Sequence, residues 1–106
     1  MKYYKIAWKH NLKEEPSLIL GEINDNLWEV RRIEFFQDGS FRYTDGYKKV
    51  GDIDLAENRM DEKLLNVDGE SVRIIYISKS DFENEWNKAK KYASDNHIPE
   101  RNYTKS

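Results

Sequence analysis

Four charged residues crowd the run Glu29-Val30-Arg31-Arg32-Ile33-Glu34, and Glu22 precedes them. Carboxylates beside guanidinium groups could do acid–base chemistry, provided two groups sit in different environments. If the run is a strand, alternation places Glu29 and Arg31 on one face and Arg32 and Glu34 on the other. On a half-solvated sheet such residues more simply form cross-strand charge pairs, each worth a few tenths to about 1 kcal/mol. We read them that way rather than as a catalytic pair. The other acid–base candidates are His10 and His97, far apart and outside any ligand-spaced motif. His10 falls in a loop, where its ring can bond backbone, and His97 falls at a helix end that favours a charged imidazole. Neither points to a metal site.

Other chemistries find less support. The chain has no cysteine, which excludes disulfides and thiolate ligands. No serine sits in a Gly-x-Ser-x-Gly elbow. Five glycines are spread singly over turns, so no loop cradles a phosphate. We expect no enzyme and no cofactor. The opening Lys2-Tyr3-Tyr4-Lys5-Ile6-Ala7-Trp8-Lys9 interleaves aromatics with bases. Tyr3 could stack a nucleobase while Lys2, Lys5 and Lys9 meet phosphates. A pI near 5.7 argues against nucleic acid. An edge strand guarded by lysines is the better reading.

The elements that must position these residues follow from periodicity. Residues 2–9 alternate Tyr4, Ile6 and Trp8 against Tyr3, Lys5 and Ala7, a strand. Residues 10–16 are a polar loop ending in Pro16. Residues 17–23 and 27–36 are strands joined by the Asn24-Asp25-Asn26 turn. Asp38-Gly39 has hairpin chemistry and leads into a strand over 40–44. Residues 45–52 read as a turn region, 51–56 as a short strand, 57–65 as one acidic helical turn and 67–69 as another turn. Residues 72–77 are β-branched and aromatic, a strand. Ser80 and Glu83 make a capping box that opens a helix, and Phe82, Trp86, Ala89 and Ala93 form its apolar stripe. Lys88, Lys90 and Lys91 would complement its dipole. The expectation is α+β: a mostly antiparallel sheet of about five strands with one C-terminal helix packed on one face. Residues 1–98 form one domain, and 99–106 a frayed tail.

Composition agrees with a small globular chain. Of 106 residues, 38% are apolar, 36% charged and 13% aromatic, too aromatic for disorder. No apolar run is long enough to span a bilayer, and no leader pattern opens the chain, so we expect a cytoplasmic protein. Charge is uneven. Residues 1–50 are net +1, residues 51–85 net −6 and residues 86–106 net +3. An acidic middle beside a basic tail suits a partner-facing surface at best, and an ordinary solvated surface is the better reading.

The first forty residues resemble a family of small bacterial proteins. Its members carry a Tyr-x-Lys-x-x-Trp-x-His strand, a Pro-led strand ending in Glu, and an E-V-R-[RK]-[IV]-E-x-F-x-D-G hairpin. Here these are Tyr3, Lys5, Trp8 and His10, then Pro16 to Glu22, then Glu29 to Gly39, with Arg31, Glu34 and Asp38 inside the last motif. The resemblance fades after Gly46. It implies an immunity protein, one that neutralises a toxin of interbacterial competition. A basic nuclease toxin would meet the acidic middle at Asp52, Asp54, Glu57, Asp61 and Glu62, with Tyr47 as an aromatic anchor. The alternatives are a small-molecule binder or small enzyme on the hairpin face, using His10, Glu22, Arg31 and Glu34, and a nucleic-acid module on the first strand. The sequence does not set the oligomeric state.

Overall fold

The computed structural model describes residues 1–64 and 67–104. They form β1 (Lys2–Trp8), β2 (Leu18–Ile23), β3 (Glu29–Phe35), β4 (Phe41–Thr44), β5 (Lys48–Val50), a 3-10 turn (Glu62–Leu64), β6 (Val67–Asp68), β7 (Val72–Ile77), α1 (Lys79–Asp95) and β8 (Arg101–Asn102). The strands make one antiparallel sheet in the order β6-β7-β1-β2-β3-β4-β5-β8. This is the expected α+β class, with eight strands among the described residues where about five were expected. The additional strands β5, β6 and β8 have three, two and two residues, too few for alternation to register. The strand expected over 51–56 is absent. Gly51, at φ 84°, turns the chain out of the sheet just after β5. The tail expected to fray pairs instead: Lys48 and Lys49 face Asn102 and Arg101. Residues 65, 66, 105 and 106, the ends of the acidic turn and of the tail, lie outside the described residues.

β1 was expected at an edge and lies inside the sheet, paired to β2 on one side and β7 on the other. Its two tyrosines alternate as strand geometry demands, yet both are buried, because both faces of the sheet are covered. Tyr3 joins Leu20, Ile33, Tyr43 and Val50 under the helix, with Phe82, Trp86, Ala89 and Ala93 descending from α1. Tyr4 joins Ile23 and Ile74 on the opposite face.

The helix starts one turn-corner earlier than the capping box suggests. Ser78, in extended backbone, is the N-cap, and its Oγ accepts from the Asp81 amide at 3.0 Å. Ser80 is already helical, so Ser78 and Asp81 supply the cap signature. The helix also runs on to Asp95, which leaves no base in its last turn. Its end is a left-handed His97 (φ 55°), with the His97 amide donating to the Ser94 carbonyl and the Ile98 amide to the Ala93 carbonyl. That pair of bonds satisfies the final carbonyls and turns the chain before Pro99.

The second face is covered by residues 52–64, which cross it as a strap. Ile53 is buried, and Met60 packs with Leu27 against the Tyr4 cluster. Backbone bonds pin the strap along its length. The Tyr103 hydroxyl accepts from the Leu55 amide, Glu29 Oε1 from the Ala56 amide at 2.8 Å, and the Leu27 carbonyl from the Met60 amide. Among the described residues no helix is long and apolar enough to cross a membrane.

Candidate functional site

The charged run builds two separate lattices, one on each face. Under the helix, Arg31 Nε donates to Glu22 Oε1 at 2.7 Å and Nη2 to Glu22 Oε2 at 3.1 Å, while Nη2 also reaches Glu83 of α1. The two residues are direct cross-strand partners, so the fork meets its carboxylate squarely. The guanidinium lies 4.8 Å and 5.0 Å from the ring centroids of Phe82 and Trp86. Burial opposes the charge on Arg31, yet Glu22 and Glu83 outweigh it and hold its pKa above the ordinary value. Burial likewise acts to raise Glu22, but the bonds from Arg31 and Tyr3 hold its carboxyl below the usual range. Burial, with Glu22 beside it, pushes the Tyr3 hydroxyl up. Such a set has no proton to pass. It ties the helix to the sheet.

Beneath the strap, Glu29 accepts from the Tyr4 hydroxyl, from Arg32 Nη1 at 3.1 Å and 3.3 Å, and from the Ala56 amide. Arg32 Nε donates to Glu34 at 2.7 Å, and Arg42 closes the chain on Glu34 from β4. Glu29 was expected to share a face with Arg31 and does not. The register slips between Glu22 and Ile23, where Glu22 faces Arg31 but Ile23 faces Glu29. Val30 is the extra residue of this bulge, and it turns Glu29 onto the strap side with Arg32 and Glu34. Glu22, Glu29 and Glu34 are all buried, so these pairs are more costly to break than the half-solvated pairs expected. Burial and the Glu29 charge push the Tyr4 hydroxyl well up, while Glu29 and Glu34 raise Arg32 against the cost of its burial. A cleft of about 240 Å³ opens over this lattice, with Ile23, Leu27 and Met60 as apolar walls and Arg59 and Asp61 also lining it.

The residues proposed for a hairpin-face site are not brought together. Glu22 and Arg31 lie under the helix, Glu34 lies on the other face, and His10 lies in the β1–β2 loop. The His10 ring packs 4.1 Å from that of Trp8. Tyr3 cannot stack a base, because Phe82 covers it at 5.2 Å between centroids. Asp38 and Gly39 make the hairpin turn: Asp38 Oδ1 accepts from the Ser40 amide at 2.8 Å, and Gly39 takes φ 87°. Among the described residues no group of three or more His, Asp or Glu is placed to hold a metal.

The acidic residues lie along the strap. Asp52, Glu57, Asp61 and Glu62 are exposed and Asp54 half-buried, while Ile53 is turned in. They do not share one spot. Asp52 lies beside Lys49 and Arg101 at the β5–β8 end. Glu62 pairs with Lys2 of β1 at 3.5 Å, and Asp61 Oδ1 accepts from the Lys63 amide. From β5 to β1 is four strand spacings, roughly 19 Å. Tyr47 is 82% exposed on the β4–β5 turn, at the end of β5 opposite to Asp52. Asp45 Oδ1 accepts from the Tyr47 and Lys48 amides, which fixes that turn.

Two features escaped the sequence reading. Trp28 is exposed at the strap's middle, with the Arg59 guanidinium 5.6 Å from its ring. The signal was the Asn24 turn just before it: Asn24 Oδ1 accepts from the Asn26 and Trp28 amides, so Trp28 belongs to the turn. The other is a groove of about 510 Å³ between the β3–β4 hairpin and α1, lined by Phe35, Phe41, Ala89, Tyr92 and Ile98 among others. Nothing in periodicity marks Tyr92 as its wall.

A sheet braced by buried ion pairs on both faces, with a charged strap outside, defines an α+β scaffold that carries side chains on a fixed backbone. The chain belongs to the family described as Domain of unknown function (DUF6881), whose model matches residues 2–91. That match runs beyond the first forty residues, through the acidic strap and most of α1. No curated protein and no solved structure matches the chain.

Proposed function

We propose that this protein is an immunity-type binding protein, which neutralises a toxin domain by docking a basic surface on the acidic strap. One observation carries the reading. The strap is fastened by its backbone amides and apolar side chains, at Leu55, Ala56 and Met60, while the carboxylates at 52, 57, 61 and 62 stay exposed. Holding such a segment rigid before binding lowers the ordering cost of association. The strap reaches from the end of β5, beside Asp52, to β1, where Glu62 meets Lys2, four strand spacings or roughly 19 Å, which suits an interface of standard size, about 800 Å² per partner. Trp28, stacked with Arg59, supplies an exposed aromatic at the strap, and Tyr47 a second on the turn before β5, the residue types that anchor interfaces. The test is purification of the partner from the source cell, followed by binding kinetics with wild-type and Asp61→Lys/Glu62→Lys protein at low and moderate salt. A basic protein whose association slows with salt and with charge reversal supports the reading. A partner that binds both proteins alike at every salt concentration removes it.

A further inference from the structure

We infer that His10 is a proton-sensitive latch on the loop between β1 and β2. The geometry assigns its tautomer. The Leu12 amide donates to Nδ1 at 3.0 Å, so Nδ1 carries no proton. Nε2 must then bear the ring hydrogen, and it donates to the Pro16 carbonyl at 2.9 Å. One neutral imidazole thus bonds both ends of the loop, residues 12 and 16. The Trp8 ring backs it at 4.1 Å, and the Gln37 side chain holds the His10 carbonyl from the β3–β4 turn.

Adding a proton places it on Nδ1, the one nitrogen with a free pair. The bond to the Leu12 amide is lost, because two N–H groups then face each other. The bond to the Pro16 carbonyl is kept and becomes charge-assisted. The ring therefore stays in place while Leu12 is released, and the loop opens at one end only. The charged groups on the packed elements are Lys9, Lys13, Glu14 and Glu15 around the loop, Asp38 in the hairpin turn, and Glu70 and Arg73, which flank the Ser71 and Val72 paired with Lys9 and Trp8. Asp38 is engaged with Ser40, and among the described residues His10 forms no ion pair. The switch therefore rests on the two ring nitrogens. Leu12 is already 54% exposed, so its release changes an accessible surface.

Nuclear magnetic resonance on the full chain tests this across the range in which a histidine titrates, about pH 5 to 8. The ring nitrogen shifts report the tautomer and the titration of His10. At the neutral end, a nitrogen–nitrogen coupling should cross the Leu12 N–H···Nδ1 bond. It should vanish as His10 protonates, and the exchange protection of the Leu12 amide should fall about fivefold, the loss expected for one hydrogen bond. In His10→Gln the Leu12 amide should show no such step. Three results overturn the inference: a neutral ring protonated on Nδ1, a ring that stays neutral to pH 5, or Leu12 protection that is flat while His10 titrates.

Discussion

The Tyr4 ring occupies the space that a side chain at Gly21 would need. The two residues are cross-strand partners, and a Cβ on Gly21 would stand 2.3 Å from Tyr4 Cε1. The absence of that one carbon lets the ring lie across β2 and deliver its hydroxyl to Glu29. Glu29 in turn holds the Ala56 amide of the strap. A glycine in β2 is thereby connected to the placement of the acidic segment.

Gly21→Ala is expected to destabilise the fold by about 3 kcal/mol, the upper end for overpacking, since the obstructing atoms belong to a buried ring. In a Tyr4→Ala background the same change should cost less than about 1 kcal/mol, the ring being gone. A double-mutant cycle by urea unfolding measures the difference. Additive costs would show that the two residues do not share the space.

The Arg31 lattice makes a prediction about pH. Glu22 titrates below its ordinary value in the folded state. A carboxylate depressed by folding contributes stability that is present above its unfolded value, near pH 4.3, and is lost as pH falls through the folded value. The wild type should therefore lose stability on acidification below about pH 4.5, and Glu22→Gln should lose less over that interval. At neutral pH, Arg31→Ala should cost about 3–5 kcal/mol, because it leaves Glu22 buried and unpaired. Its affinity for a strap-bound partner, measured on folded protein, should be unchanged. Equal acid slopes for wild type and Glu22→Gln would separate Glu22 from this linkage.

At the helix start, Ser78→Ala should cost about 1 kcal/mol, because Ser78 accepts from the Asp81 amide. Ser80→Ala should change stability by less than about 0.5 kcal/mol, as a surface substitution does. Trp86→Ala should cost about 3–5 kcal/mol, since its ring packs against Tyr43 and Arg31 in the core. Thermal melts of the three variants rank them. A larger loss at Ser80 than at Ser78 would return the cap to Ser80.

These helix variants also mark what the sequence could and could not disclose. The stripe Phe82, Trp86, Ala89, Ala93 is legible because one periodicity governs it, and all four residues are buried. The cap was misplaced by two residues because Ser78 and Ser80 offer the same hydroxyl, and only backbone angles separate them. The pairing of Glu22 with Arg31 is a register fact, and register is long-range. The face of Glu29 was misjudged because a bulge breaks alternation without leaving a glycine or proline to announce it. The short strands β5, β6 and β8 form because neighbours supply their partners, which no local window contains. The acidic segment was visible as composition. Its course as a strap follows from Met60 finding, beside Leu27, the apolar face that Tyr4, Ile23 and Ile74 build on the side of the sheet away from the helix.

The strap provides the prediction that bears most on function. Asp61 and Glu62 are exposed; Asp61 accepts from the Lys63 amide in a local turn, and Glu62 pairs with Lys2 at the surface. Reversing both to Lys should cost the fold no more than about 1–2 kcal/mol, the sum of a lost turn bond and a lost exposed ion pair. Association with a basic partner should slow at least tenfold at low salt, because steering depends on the summed field of the strap. The gap between variant and wild type should narrow as the Debye length falls to about 8 Å and below. Trp28→Ala should behave differently. Its contact with a partner would be short-range, so it should raise the dissociation rate and leave the salt dependence of association alone. Surface-binding kinetics of the three proteins against the purified partner separates these effects. If charge reversal altered only dissociation, or Trp28→Ala only association, the strap would not be steering the encounter, and the acidic segment would lose its assigned role.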